Sequence, residues 1–440
     1  MNILNYFLFL IITFLGAKYL FGGSAEVSHP YDKNYKLRLN GPEMFWVLTF
    51  STGLLALSAP ALLDLMALRL LVLEAFCLIG LFVVKNKVII SFPIVLYLCY
   101  ILWLFIGLSY SPSSDYGVRV IMKYLYPLLV MFFASAVVRN KELFLKAALG
   151  ARYVALISLV LIVSIKIEMY VLPGVFWYGT ARAIHYISIC VFSLALFYYG
   201  GKVKLNLFIA ILFTLPCIIW VFRTSIMGTS LALMTFFFFR YKLKSLPVIL
   251  GVLTLFVGSI FFIPSVRDKM FNEQGSGKSL ADLRSGNISS DDIDSNGRFA
   301  MWEWSMKKFY DGKELMGTGT GNLQETFYSL KHPFGTIKIC HNDYVQILCD
   351  NGLIGVGLFG ASFLLLIIHC FIVCQKKQYS WLIHVCAITA GASMAGVLLT
   401  LYTDNVINYS MCTISYPCGF YGMMLGLIRG YKQQSTNAIQ

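Results

Sequence analysis

Charge is what this chain has least of. Only 13% of its 440 residues are Asp, Glu, Lys or Arg, roughly half the share of an ordinary soluble domain. Hydrophobic residues make up 58%, and the mean hydropathy is +0.73. A soluble globular domain is excluded, and a membrane protein is implied. Most of the eleven cysteines lie inside apolar runs, and only Cys340 belongs clearly to a polar segment. That rules out a disulfide framework. No zinc-type spacing occurs either, and Cys370-x-x-x-Cys374 in an apolar run is expected to be packing. The inverted repeats that mark many secondary transporters are also missing.

What the chain has is apolar length. A helix crosses a bilayer with about 20 mostly apolar residues, and such stretches occur at roughly 2–22, 46–63, 68–84, 89–109, 120–138, 148–165, 183–200, 205–222, 225–239, 246–263, 353–373, 381–401 and 406–428. The expected architecture is an all-α polytopic membrane protein with about 12–13 transmembrane helices. The first stretch lacks a basic start and a small-residue cleavage site, so it is expected to be a retained span rather than a signal peptide. Residues 46–84 split into two short pieces. A count of twelve with both ends inside and a count of thirteen with the N-terminus outside therefore both stand.

Net charge is +14, which in a soluble protein would suggest nucleic acid. Its distribution points elsewhere. Residues 264–343 carry 10 basic and 11 acidic residues, leaving 25 basic against 10 acidic in the rest. The excess sits in short connections, at Lys85 and Lys87, Arg139 to Lys146, Arg240 to Lys244, and Lys376 with Lys377. By the positive-inside rule these face the cytoplasm, which places 264–343 outside. Three parts follow: an N-terminal transmembrane bundle, 1–263; a large external loop, 264–343; and C-terminal spans with a cytoplasmic tail, 344–440.

The loop is where chemistry is expected. Residues 272–297 are rich in Gly, Ser, Asn and Asp and read as irregular. In "RFAMWEWSMKKFY", Phe299, Trp302, Met306 and Phe309 fall on one helical face, with Ser295, Asn296 and Gly297 as candidate caps. The two tryptophans suit a membrane interface. "MGTGTGN", 316–322, resembles a phosphate-cradling loop only superficially, since no Gly-Lys-Ser/Thr and no full dinucleotide fingerprint is present, and it reads as a plain turn. "HNDYVQILCDNGLIGVG" then places His341 just before a short helix capped by Asn342 or Asp343 and broken at Asn351-Gly352.

Ionisable residues at membrane depth cost about 3 kcal/mol at the centre and mark function by default. Arg223 in "WVFRTSIMG" and Arg182 with His185 in "GTARAIHY" sit at external boundaries, where headgroup contact is the simpler reading. Asp404 lies between the last two spans, and Arg298 opens a helix against its dipole, which an anionic ligand would offset. By topology Arg223, Arg298, His341 and Asp404 share one face. Two fixed cations, a base titrating near neutrality and a carboxylate meet the needs of displacing a lipid diphosphate.

At this point the order of "FRTS", "GRFAMWEWSMKKF", "GTGTGN", "HNDYVQILCDNGLIGVG" and "YTDN" resembles the O-antigen ligase and polymerase superfamily of bacterial envelope glycosyltransferases, over roughly residues 205–425. The resemblance implies a fold similar to the C-type membrane glycosyltransferases and no cofactor or metal. It implies a glycan donor, undecaprenyl-diphosphate-linked oligosaccharide, used on the periplasmic side of the bacterial inner membrane. It further implies that Arg223 and Arg298 contact the diphosphate, with Asn342 and Arg182 in the same substrate-binding set. His341 would activate the acceptor hydroxyl, and Asp404 would support that step. The acceptor is expected to be another lipid-linked repeat unit, making the protein a polymerase with a chain-length regulator as partner. The alternative is a ligase acting on lipid A-core. Rivals from other classes are a flippase for the same lipid-linked sugars, a metal site built from His332, His341 and Asp343, and a scaffold without chemistry.

Overall fold

A bilayer offers no hydrogen-bond partners to backbone groups, so a chain within it must pair its own, and this one does so as helices. The computed structural model describes residues 2–32, 34–56, 65–171, 183–220, 223–271, 277–288, 297–409 and 411–437. In chain order the elements are α1 (Asn2–Leu20), the strands β1 (Ser24–Ser28) and β2 (Lys36–Asn40), α2 (Gly41–Thr52), α3 (Leu65–Val83), α4 (Phe92–Ser109), α5 (Ser114–Val137) and α6 (Lys141–Val171). After these come α7 (Ile187–Tyr199), α8 (Lys204–Leu212), α9 (Leu215–Trp220), α10 (Arg223–Tyr241) and α11 (Leu246–Phe262). The connecting segment holds α12 (Pro264–Met270), α13 (Leu280–Ser285), α14 (Arg298–Ser305) and α15 (Asn322–Tyr328), and the chain ends with α16 (Asp343–Gln375), α17 (Trp381–Thr400) and α18 (Ser415–Asn437).

Among the described residues, six segments are long and apolar enough to cross a membrane: Phe92–Ser109, Ser114–Val137, Lys141–Val160, Arg223–Phe262, Asp343–Gln375 and Trp381–Thr400. Shorter apolar helices run over Phe7–Leu20, Ala183–Tyr199 and Lys204–Cys217. The chain is thus an all-α polytopic membrane protein, with helices less uniform than an even set of twelve or thirteen. Local chemistry explains the unevenness. The expected span 205–222 is divided into α8 and α9 at Pro216, which has no N–H to continue the ladder. The expected span 46–63 is described only as far as residue 56, where α2 has given way to a 3₁₀ turn, Gly53–Ala56. The last span starts at Ser415 and not near 406, because the described residues 401–409 and 411–414 form turns and a 3₁₀ helix, Val406–Tyr409, instead of α-helix. The polar connection 24–40 forms an antiparallel hairpin with Ser24 opposite Asn40 and Ser28 opposite Lys36.

At the centre, α17 packs against α7, α10, α16 and α18, and all but a few of its residues are buried. Where α10 crosses it, a Cβ on Gly396 would come within 2.4 Å of the Gly228 carbonyl oxygen. The two backbones touch, which is how membrane helices gain contact without a hydrophobic driving force between them.

The connecting segment has its own small core, in which Met301, Phe309, Leu323, Phe327, Cys340 and Cys349 are buried together. The buried face of α14 is therefore Met301, Ser305 and, across a π-turn at Met306–Tyr310, Phe309. Phe299, expected on that face, is exposed. Both tryptophans are half-buried against ring partners. Trp302 stacks near Tyr402 (5.3 Å), while Trp304 sits among Phe309, Phe327 and Phe334. Gly297 is the N-cap of α14, whereas Ser295 and Asn296 lie outside the described residues.

"MGTGTGN" is the turn the sequence predicts, and it fills a gap. α16 breaks at Gly352, whose φ of 64° and ψ of −166° only glycine tolerates and whose Cβ would lie 2.3 Å from the Leu315 carbonyl carbon. The freed backbone groups are taken up by the turn. Leu353 N–H donates to Glu314 O (2.8 Å) and Ile354 N–H to Leu315 O (3.3 Å), while Thr318 and Gly319 N–H donate to the carbonyls of Cys349 and Asp350 (2.9 Å each). The Asp350 carboxylate accepts from Gly321 N–H (3.0 Å) and Leu323 N–H (2.8 Å), capping α15. Asp350→Ala leaves both buried donors unpaired, a loss on the order of 3 kcal/mol. The expected result is several-fold faster tryptic cleavage after Lys313 and Lys331 in detergent-solubilised protein; cleavage at the wild-type rate would refute the clamp.

Candidate functional site

One turn organises the site. After α17 the chain reverses through Leu401–Asn405, with Thr403 N–H and Asp404 N–H both returning to Thr400 O (3.2 and 3.1 Å). Three elements attach to it. Asp343 N–H at the start of α16 donates to Leu401 O (2.9 Å), Thr224 Oγ1 in the first turn of α10 lies 2.7 Å from Thr403 Oγ1, and the Arg298 guanidinium of α14 donates to Thr403 O. Sequence positions more than a hundred apart are thereby fixed against a single short loop.

His341 faces the same turn. Its Nδ1 is 3.6 Å from Asp404 Oδ1, beyond hydrogen-bond length but within ion-pair reach. The His341 side chain is 28% exposed and the Asp404 side chain 7%, so the imidazole is open to an incoming group while the carboxylate is covered. His341 adopts φ 54°, a left-handed conformation that costs a residue with a Cβ roughly 1 kcal/mol or more and persists only where its surroundings impose it. They do so from both sides. Trp302 Nε1–H donates to Cys340 O (2.9 Å), and Asn342 Oδ1 accepts from Tyr344 and Val345 N–H (3.0 and 3.1 Å). Burial pushes the Cys340 thiol up to about 12, so it stays protonated and offers no nucleophile beside the histidine.

The remaining expected residues divide. Arg298 and Arg223 open α14 and α10, the two helices tied to Thr403. Asn342 is 1% exposed, and its amide oxygen caps α16. Arg182 lies outside the described residues. His332 does not join His341; its Nδ1 accepts from Phe334 N–H (3.1 Å) and its ring stacks on Phe327. Among the described residues no three His, Cys, Asp or Glu side chains gather as metal ligands.

Several supporting residues escaped the sequence reading. Asp343 Oδ2 accepts from Ile407 N–H (3.1 Å), Asn405 Nδ2 donates to Gln346 Oε1 (3.2 Å), and Lys123 Nζ of α5 donates to Asn408 Oδ1 (2.7 Å). The signal for Lys123 was available, since a lysine inside an apolar span calls for a partner. Asn405 and Gln346 gave none, because an uncharged amide is ambiguous until the fold shows what it faces.

Chemically, the arrangement offers an accessible imidazole backed by a covered carboxylate, with two guanidinium-bearing helix starts on the same turn. Residues 208–360 match the family model described as O-antigen ligase. No curated protein matches the chain. The matched segment, about a third of the chain, contains Arg223, Arg298, His341 and Asn342, while Asp404 lies beyond it. The chain is thus a multi-pass membrane protein with a segment similar to the O-antigen ligase family.

Proposed function

We propose that this protein is a glycosyltransferase that moves a glycan from undecaprenyl diphosphate to a hydroxyl on the periplasmic side of the inner membrane. The observation that carries the reading is the His341–Asp404 pair set on the turn that also holds Arg298 and the start of α10. In the reaction the His341 imidazole takes the proton of the acceptor hydroxyl as its oxygen attacks the anomeric carbon. The bond from that carbon to the diphosphate breaks, and the negative charge left on the carrier is stabilised by Arg223 and Arg298. Asp404 holds the imidazole and supports the positive charge it acquires, as a buried carboxylate does in hydrolytic triads. Arg182 belongs to the same diphosphate-binding set.

The acceptor in this reading is a second lipid-linked repeat unit, so the enzyme polymerises and works beside a chain-length regulator. The ligase reading, with lipid A-core as acceptor, draws its support from the description of the matched family. A deletion strain separates them. Lipid A-core bearing a single repeat is expected from loss of a polymerase, whereas bare core with accumulating lipid-linked polymer would replace that reading with the ligase.

In glycan transfer by the purified full-length protein, His341→Ala is expected to lower the rate by about 10²-fold or more, the usual share of general base catalysis. Asp404→Asn, which keeps the shape and removes the charge, is expected to lower it by roughly tenfold. Transfer undiminished in His341→Ala would sink the mechanism.

A further inference from the structure

The far ends of α5 and α18 hold an arginine pair that glycan transfer does not use. α5 has 24 residues and is about 36 Å long. Its first turn touches the segment beside the site, where Ser113 donates its hydroxyl to Glu325 and a Cβ on Gly321 would meet Gly117 N at 2.3 Å. Arg139, just past its last turn, therefore lies at the opposite face of the membrane, the face that the basic connections assign to the cytoplasm.

There Arg139 Nη2–H and Arg429 Nη1–H donate to the same acceptor, the Lys87 carbonyl oxygen, at 3.0 and 3.1 Å. Among the described residues neither guanidinium has a carboxylate within ion-pair distance; the adjacent Glu142 is paired with Lys141. Arg139 Nη1 is buried with no partner. Burial, and after it the Arg429 charge, hold the Arg139 guanidinium below its ordinary value. Two like charges share one oxygen because the helices leave them no choice. A Cβ on Gly422, Gly426 or Gly430 of α18 would lie 2.5, 2.0 or 2.1 Å from the carbonyl oxygens of Met131, Val138 or Arg139. α18 thus lies backbone to backbone along the end of α5, and Arg429 is carried to Arg139.

The chain segments that carry Lys87 and Arg139 also line a cavity of about 500 Å³, through Lys85, Asn86 and Val137 with Tyr19 and Asn40. Glu43 also lines it, but its carboxylate accepts from Asn40 N–H (2.9 Å) within a capping box. The region is cationic, sits where apolar helices end, and leaves a buried guanidinium donor unused. A tetrahedral oxyanion would satisfy that donor and separate the two charges. We propose that Arg139 and Arg429 form a binding site for a phosphate oxyanion, delivered at this depth by the headgroup of an anionic membrane lipid.

The test uses the full-length protein in neutral detergent, with melting temperature followed as phosphatidylglycerol, phosphatidylcholine or inorganic phosphate is added. Stabilisation by phosphatidylglycerol and not by phosphatidylcholine is expected, its apparent affinity falling about fivefold in Arg139→Gln or Arg429→Gln and about thirtyfold in the double variant. Lys242→Gln/Lys244→Gln, which removes two exposed charges at the end of α10, is expected to leave it unchanged. Should the double variant not fold, the two single variants carry the same reading. An equal response to inorganic phosphate, lost in the same variants, supports the oxyanion site and replaces the lipid with a free ion. No response, or one undiminished in Arg139→Gln and Arg429→Gln, overturns the proposal.

Discussion

The backbone bond from Asp343 to the Leu401 carbonyl is the constraint on which the site depends. It joins the first residue of one long helix to the last turn of another, and thereby sets how far His341 can stand from Asp404. Around it the polar groups are paired in layers, with the Asp343 carboxylate on Ile407, Asn405 on Gln346, and Lys123 on Asn408. Buried polar networks of this kind are demanding, since each unpaired member would cost the free energy of its lost hydration. Paired in this way, they hold a geometry that apolar packing alone would leave free to slide.

The same turn reconciles two requirements that oppose each other. A membrane protein must satisfy backbone groups locally, which favours unbroken helices, whereas a reaction centre needs side chains converging from several directions. Irregular backbone is accepted here only where other protein covers it. Of residues 401–408 and 411–414 only Tyr402 is exposed, and the break in α16 is covered by 314–321.

How much of this was legible in the sequence depended on the kind of signal. The all-α membrane class followed from hydropathy, because bilayer thickness leaves few alternatives. The break at Gly352 and the cap at Asn342 were readable because glycine and asparagine have narrow conformational uses. Helix lengths were less so: Pro216 divides a run that hydropathy counts as one. The α14 face was placed one residue along, on Trp302 and Met306 instead of Met301 and Ser305, because a run of large apolar residues gives two adjacent faces nearly equal claim. Trp302 and Trp304 followed general interfacial statistics in the sequence and particular ring partners in the fold. His341 and Asp404 were legible as chemical types, but their pairing rests on a turn whose amides and threonines carry no distinctive pattern.

The patch of 314–321 over the interrupted helix has a consequence for how this protein can diversify. It meets α16 through contacts spaced along its length, from the Glu314 carbonyl on Leu353 N–H to Gly321 N–H on the Asp350 carboxylate. A single residue inserted within that stretch would shift the later contacts out of step and uncover the backbone groups freed at Gly352. The interval therefore works as a ruler of fixed length. Variation in loop size among proteins built this way must be accommodated outside it, so the chain can lengthen elsewhere while the break in α16 stays covered.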